Sequence, residues 1–225
     1  MRSANQSKDE LLGLVSHELR NPLSTILAAV RRISLPGIVV PDEQQTVKLL
    51  DTKTSQLAVL IENMLILARG DHTAELEPVL LHRLLGVAIA RHLQRSPDRK
   101  VELELGADVP IVAGHDGWLH QVLDNLLGNA EKYFAPETTI TVAASAEGGN
   151  AVVRVLDRGP GIPVGRAEQL FAAFHREKST SDVPGLGLGL AVCRRLVELQ
   201  GGAIWAAERK GGGAEFGFSL PAVAE

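Results

Sequence analysis

Four short stretches of this chain hold the residue types that group-transfer chemistry uses. Ser16-His17-Glu18-Leu19-Arg20-Asn21-Pro22 lies near the start. Much later come Asn125-Leu-Leu-Gly-Asn129-Ala-Glu-Lys132-Tyr133, Asp157-Arg-Gly159-Pro-Gly161 and Gly185-Leu-Gly187-Leu-Gly189-Leu. A neutral imidazole such as that of His17 is a competent nucleophile near neutrality, because its unperturbed pKa is about 6.5. On a helix, Gln121, Asn125, Asn129 and Lys132 fall within roughly 80° of one another. Two asparagine carbonyls and a lysine on one face suit a phosphate-bound magnesium ion, the amide oxygens as ligands and the lysine against phosphate charge. Asp157 follows an apolar strand, where its carboxylate can accept a hydrogen bond from an exocyclic amine. Gly159 and Gly161 beside it let backbone approach a flat base. The run Gly185, Gly187, Gly189 opens a helix, so bare amides and a helix N-terminus face an anion. Each signal is common by itself. Their order argues for an ATP pocket that serves a histidine nucleophile.

Two kinds of scaffold must carry these residues. From about residue 7 to 70 the pattern is helical. Val47, Leu50, Thr54, Leu57, Ile61, Met64 and Ala68 step alternately by three and four, as in a coiled-coil seam. Leu11, Val15, Leu19, Leu23, Ile26, Val30 and Ile33 form a comparable stripe upstream, and the Pro- and Gly-containing stretch 35–41 separates the two helices. Residues 1–70 are therefore expected to form an antiparallel helical hairpin. One hairpin cannot bury its seam alone, so a second copy should complete a four-helix bundle, making the chain a homodimer. Arg69-Gly-Asp-His-Thr breaks the pattern. Residues 71–225 alternate between helical stretches (80–95, 118–133, 167–171, 188–200) and strands (101–105, 111–113, 139–144, 151–156, 203–207, 215–220). Val101-Glu-Leu-Glu-Leu105 alternates as a half-buried strand should, and Gly148-Gly-Asn150 should turn a hairpin. Helices on one face of a mixed sheet make a two-layer α/β sandwich, and the chain as a whole belongs to the α+β class.

Composition narrows the function. The 225 residues are 45% hydrophobic and 22% charged, as in a globular protein. A net charge of −4 offers no basic footprint for nucleic acid. No run of 18 apolar residues would cross a membrane, and the first residues lack the apolar core of a secretory signal. Membrane contact within this stretch is not expected. Cys193 is the only cysteine, which excludes internal disulfides and suits a cytoplasmic setting. No Gly-Lys-Ser/Thr follows the glycine run, as a Walker loop requires. A polar stretch precedes it where a Rossmann fold needs a strand.

Over residues 7–221 the chain resembles the sensor histidine kinases of two-component systems. Residues 16–22 are similar to their H box, 125–133 to the N box, 157–161 to the G1 box, 170–174 to the F box and 185–190 to the G2 box. The resemblance implies a dimerisation and phosphotransfer domain followed by a Bergerat-type ATP-binding domain, with boundaries at 1–70 and 71–225. It implies that Asp157 reads adenine, that Asn129 holds Mg2+, and that Lys132, Tyr133 and Arg176 contact phosphates or ribose. Residues 175–184 would form an ATP lid, and Arg69–Thr73 a hinge. It further implies that Glu18 orients His17 or takes its proton, and that Asn21 positions water to dephosphorylate the partner receiver. The implied activity is autophosphorylation of His17 and transfer to an aspartate of a response-regulator receiver domain. The implied chain is part of a longer protein, whose parent is membrane-anchored or soluble. Leu186 departs from the family's usual Thr or Ser and removes one hydroxyl near phosphate. Two alternatives stay open: a degenerate kinase that only scaffolds a receiver, and a Bergerat ATPase that hydrolyses ATP without a phosphohistidine.

Overall fold

The computed structural model describes residues 19, 21–30, 43–68, 75–132, 138–163, 165–174 and 187–223. His17, Glu18, Tyr133, Arg176, Gly185 and Leu186 lie outside the described residues, as do the expected loop 35–41, hinge and lid. The chain divides into two compact units, Met1–Ala68 and Arg69–Glu225.

The first unit is helical. Leu19 and residues 21–30 (α1) precede the 26-residue helix α2, Glu43–Ala68. The apolar stripe of α2 is only partly the one its spacing suggests. Leu60 is fully buried, Ile66 and Asn63 are buried, and Leu50, Leu57 and Met64 are half-buried. Val47 and Ile61 stand 60% and 46% exposed, and Thr54 and Ala68 are exposed with them. On α1, Leu19 and Ile26 are half-buried and Ala29 is buried, while Leu23 and Val30 are exposed. A single copy covers one flank of each heptad stripe and leaves the other facing outward.

The second unit is a two-layer α/β sandwich. Its elements are β1 (Glu77–Val79), α3 (Leu81–Arg95), β2 (Lys100–Leu105), β3 (Val112–Gly114), α4 (Asp116–Lys132), β4 (Thr139–Glu147) and β5 (Asn150–Leu156). A 3-10 helix (Ala167–Phe171), α5 (Gly189–Glu198), β6 (Ala203–Glu208) and β7 (Ala214–Pro221) complete it. The main sheet runs β2-β4-β5-β7-β6. Its β2–β4 pair is parallel and the rest antiparallel. A parallel pair needs a crossover, and α4 supplies it. Between β4 and β5 the chain turns on Gly148 and Gly149, both at positive φ (57° and 81°), the geometry that matches strand twist in a two-residue turn.

The core follows from alternation. Ile140, Val142 and Ala144 of β4, Ala151, Val153 and Val155 of β5, and Phe216, Phe218 and Leu220 of β7 all point to one face. Leu119, Val122, Leu123, Leu126 and Leu127 of α4 and Val192, Leu196 and Val197 of α5 are buried with them. Three details depart from expectation. Residues 167–171 form a 3-10 turn, as suits so short a stretch. β2 is an edge strand, and Leu103 and Leu105 are 37% and 45% exposed rather than half-buried. Glu77–Val79 pairs with Val112–Gly114 in a separate ribbon, which a three-residue stretch containing Pro78 does not announce.

Candidate functional site

The site begins on α4. Its apolar stripe locks the helix to the sheet, so the opposite side keeps a fixed direction. Asn125 and Asn129 are half-buried on that side, and Lys132 is exposed at the end. The start of α5 packs directly against it. A Cβ added to Gly189 would stand 3.2 Å from Asn125 Oδ1, so glycine is what lets the helix N-terminus approach the amide. Cys193, one turn further on, is fully buried and donates weakly to the Val122 carbonyl at 3.8 Å. Burial pushes its thiol up to about 12, although a hydrogen bond with Asn125 pulls the other way. It is a packing group, not a nucleophile.

Asp157 directly follows β5 and is only 2% exposed. Its Oδ1 accepts hydrogen bonds from the Ala214 N–H at 2.6 Å and from the Gly159 N–H at 3.3 Å. Its own N–H donates to the Ala214 carbonyl at 2.9 Å, and Arg209 Nη1 donates to its carbonyl at 3.0 Å. Burial raises its pKa above the usual carboxylate value, and the two amides and Arg209 oppose the rise. The result is an oriented acceptor in a low-dielectric setting, suited to reading one amine. Gly161, at φ 75°, packs where an added Cβ would stand 3.3 Å from the Gly213 carbonyl.

Past the Gly161 turn, the 3-10 helix buries Phe171. The Arg194 guanidinium of α5 covers its ring at 4.5 Å and pairs with Glu168 at 2.7 Å. Phe174 takes a left-handed φ of 62°, and its N–H donates to the Gly187 carbonyl at 2.9 Å. One backbone bond thus ties together the described residues flanking 175–186. Gly187 itself is at φ 68°, where a side chain would be strained.

Of the residues singled out in the sequence, Asn125 and Gly189 are in direct contact, and Asp157 and Gly159 are hydrogen-bonded. Asn129 and Lys132 continue the Asn125 face, and Gly187 is anchored beside the α5 N-terminus. Asn21 is exposed on α1. The sequence reading missed the turn between β6 and β7. Gly213, at φ 103°, approaches so closely that an added Cβ would lie 2.1 Å from the Asp157 carbonyl oxygen. Arg209 and Ala214 flank that turn and hold Asp157. The signal was present as Gly211-Gly212-Gly213, but a glycine run carries no chemistry until its neighbour is known.

Among the described residues no cluster of three His, Cys, Asp or Glu side chains could hold a metal. Asn129, half-buried on α4, offers a neutral amide oxygen of the kind magnesium accepts. No described helix is long and apolar enough to cross a membrane.

Comparison with known proteins matches both units. Residues 7–73 fit the model of the His Kinase A (phospho-acceptor) domain, and residues 114–224 that of the histidine kinase-, DNA gyrase B- and HSP90-like ATPases. The sensor protein KdpD of Escherichia coli (strain K12) is 33% identical over 221 residues, covering 96% of this chain and 24% of that protein. The sensor protein CutS of Streptomyces coelicolor is 34% identical over 229 residues, covering 98% of this chain and 54% of that one. Full-length ShkA, solved in complex with AMPPNP, superposes with a TM-score of 0.71 at 29% identity over 96% of this chain and 46% of its own. The histidine kinase ThkA, solved in complex with the response regulator TrrA, shares the fold. Its TM-score is 0.75 at 23% identity, over 99% of this chain and 64% of its own.

Proposed function

Because the chain belongs to the sensor histidine kinases of two-component systems, we propose that it phosphorylates its own His17 from ATP. The phosphoryl group then passes to an aspartate of a response-regulator receiver domain. Residues 1–70 are assigned to dimerisation and phosphotransfer and residues 71–225 to catalysis. Both units are assigned to the cytoplasm. The observation that carries the nucleotide site is the buried Asp157 carboxylate, oriented by the amides of Ala214 and Gly159.

Asp157 accepts the adenine amine, while Gly159 and Gly161 lie along the base. Asn125 and Asn129 face the phosphates with Lys132, and Tyr133 and Arg176 contact phosphate or ribose. The amides of Gly185, Gly187 and Gly189 and the α5 N-terminus oppose phosphate charge. Asn129 would hold the magnesium ion, which when bound neutralises charge on the phosphates. In the transfer, a ring nitrogen of His17 forms its bond to the γ-phosphorus as the bond to ADP oxygen breaks. The ring proton leaves to Glu18, and ADP departs. Asn21 positions water for hydrolysis of the receiver's phosphoaspartate. Two copies of the helical unit pair to form the working dimer.

The test is incubation with γ-labelled ATP and Mg2+, followed by acid and alkali. Label should survive alkali and be lost in acid, and His17→Gln should abolish it while ATP still binds. Label retained in His17→Gln would overturn the assignment. Steady ATP hydrolysis without label would favour the ATPase alternative.

A further inference from the structure

α4 is gripped from its side by α3 and the connection after it. Asp124 and Glu131 are seven residues apart and share one flank, roughly 80–160° around the helix from Asn125, Asn129 and Lys132. Asp124 takes Arg95 at 2.7 Å and Arg91 at 3.3 Å, and both arginines are well exposed, 59% and 49%. The grip on Glu131 is of another kind. Arg99 is 10% exposed, and its Nη2 donates to the Glu131 main-chain carbonyl at 2.7 Å. Its Nε also lies 3.8 Å from the Glu131 carboxylate, and Ser96 Oγ donates to Oε1 of that carboxylate at 2.5 Å. Glu131 lies in the last described turn of α4, so a bond to its main-chain carbonyl fixes the helix backbone itself. A shielded guanidinium on that carbonyl makes a short, charge-assisted bond.

We propose that Arg99 is a positioning residue for the phosphate-binding turn. By holding the Glu131 carbonyl, it sets where Asn129 and Lys132 stand when Mg-nucleotide binds. The inference rests on the nucleotide site proposed above, since only then does the last turn of α4 face a phosphate. Arg95 provides the internal comparison. It also joins α3 to α4, but roughly two turns away from Lys132 and to a side chain rather than a backbone carbonyl.

The experiment measures dissociation constants for Mg-ATP and for Mg-free ATP on the whole chain, with thermal melting beside them. Arg99→Met should weaken Mg-ATP binding about tenfold, the scale of one charge-assisted hydrogen bond. Arg99→Lys should recover most of the affinity, and Mg-free binding should change less. Arg95→Met should lower the melting temperature without changing either constant. Wild-type Mg-ATP affinity in Arg99→Met, with Asn129→Ala impaired, overturns the inference and leaves the nucleotide site standing. Unchanged affinity in Asn129→Ala overturns the phosphate site itself, and the inference with it. If Arg99→Met does not fold, Arg99→Gln against Arg95→Gln decides: equal Mg-ATP affinities refute a positioning role for Arg99, and weaker binding in Arg99→Gln alone supports it.

Discussion

Asp157 shows how a single side chain acquires a role that its type does not confer. An aspartate at a strand end is ordinarily a turn former. Here it is buried, its pKa is raised by loss of water, and amides from Ala214 and Gly159 aim one oxygen. Gly213 makes that burial possible, because its backbone runs where any side chain would strike the Asp157 carbonyl. Gly213→Ala should therefore cost about 2–3 kcal/mol of stability, from the positive φ and the collision together. It should also weaken ATP binding. Urea denaturation and nucleotide titration check both, and wild-type values would show that the β6–β7 turn relaxes without consequence. In the sequence, Asp157-Arg-Gly-Pro-Gly161 was legible as a base-reading motif. Arg209 and the three glycines that hold it were not, because about fifty residues separate them from Asp157 and only sheet pairing joins them.

At the scale of elements, the α3–α4 contact carries a titratable group that no motif suggested. His92 is 2% exposed, and its Nε2 lacks a hydrogen-bond partner, 3.7 Å from Glu131 Oε2. Burial lowers its pKa below 6.5, with Arg95 and Arg99 adding to the fall and Glu131 and Asp124 opposing it. The unfolded chain then binds more protons than the folded one between the depressed value and the normal one. Stability from the neutral His92 is complete above about pH 6.5 and is lost as pH falls through that window. Denaturation at pH 7.5 and 5.5 should show lower stability at the acid end, and His92→Gln should reduce the difference. An equal pH dependence in the variant would remove His92 as its source. The helices themselves were readable from periodicity, since α4 and α5 bury one stripe each. β1 was not, because its three residues become a strand only by pairing with Val112–Gly114.

For the whole molecule, the exposed stripe on the helical unit argues for a second copy. Val47, Ile61 and Leu65 on α2 and Leu23 and Leu27 on α1 each leave 46–60% of their surface open. Ile61→Glu should convert a dimer to monomers in sedimentation equilibrium, with the fold of the ATP-binding unit retained. A dimer that persists would place the interface elsewhere. The amino-acid sequence by itself determined the family, the division into a helical part and an α/β part, and the order of the boxes. These rest on local pattern: three-four spacing, strand alternation, and side chains within one short motif. Tertiary structure alone decided which flank of the α2 heptads is covered, that β2 lies at an exposed edge, and that Gly189 seats against Asn125. It also decided that Gly213 and Arg209 complete the Asp157 site and that Arg99 holds the end of α4. Such contacts depend on which surfaces meet across long separations in the chain, and composition and spacing leave that open until packing settles it.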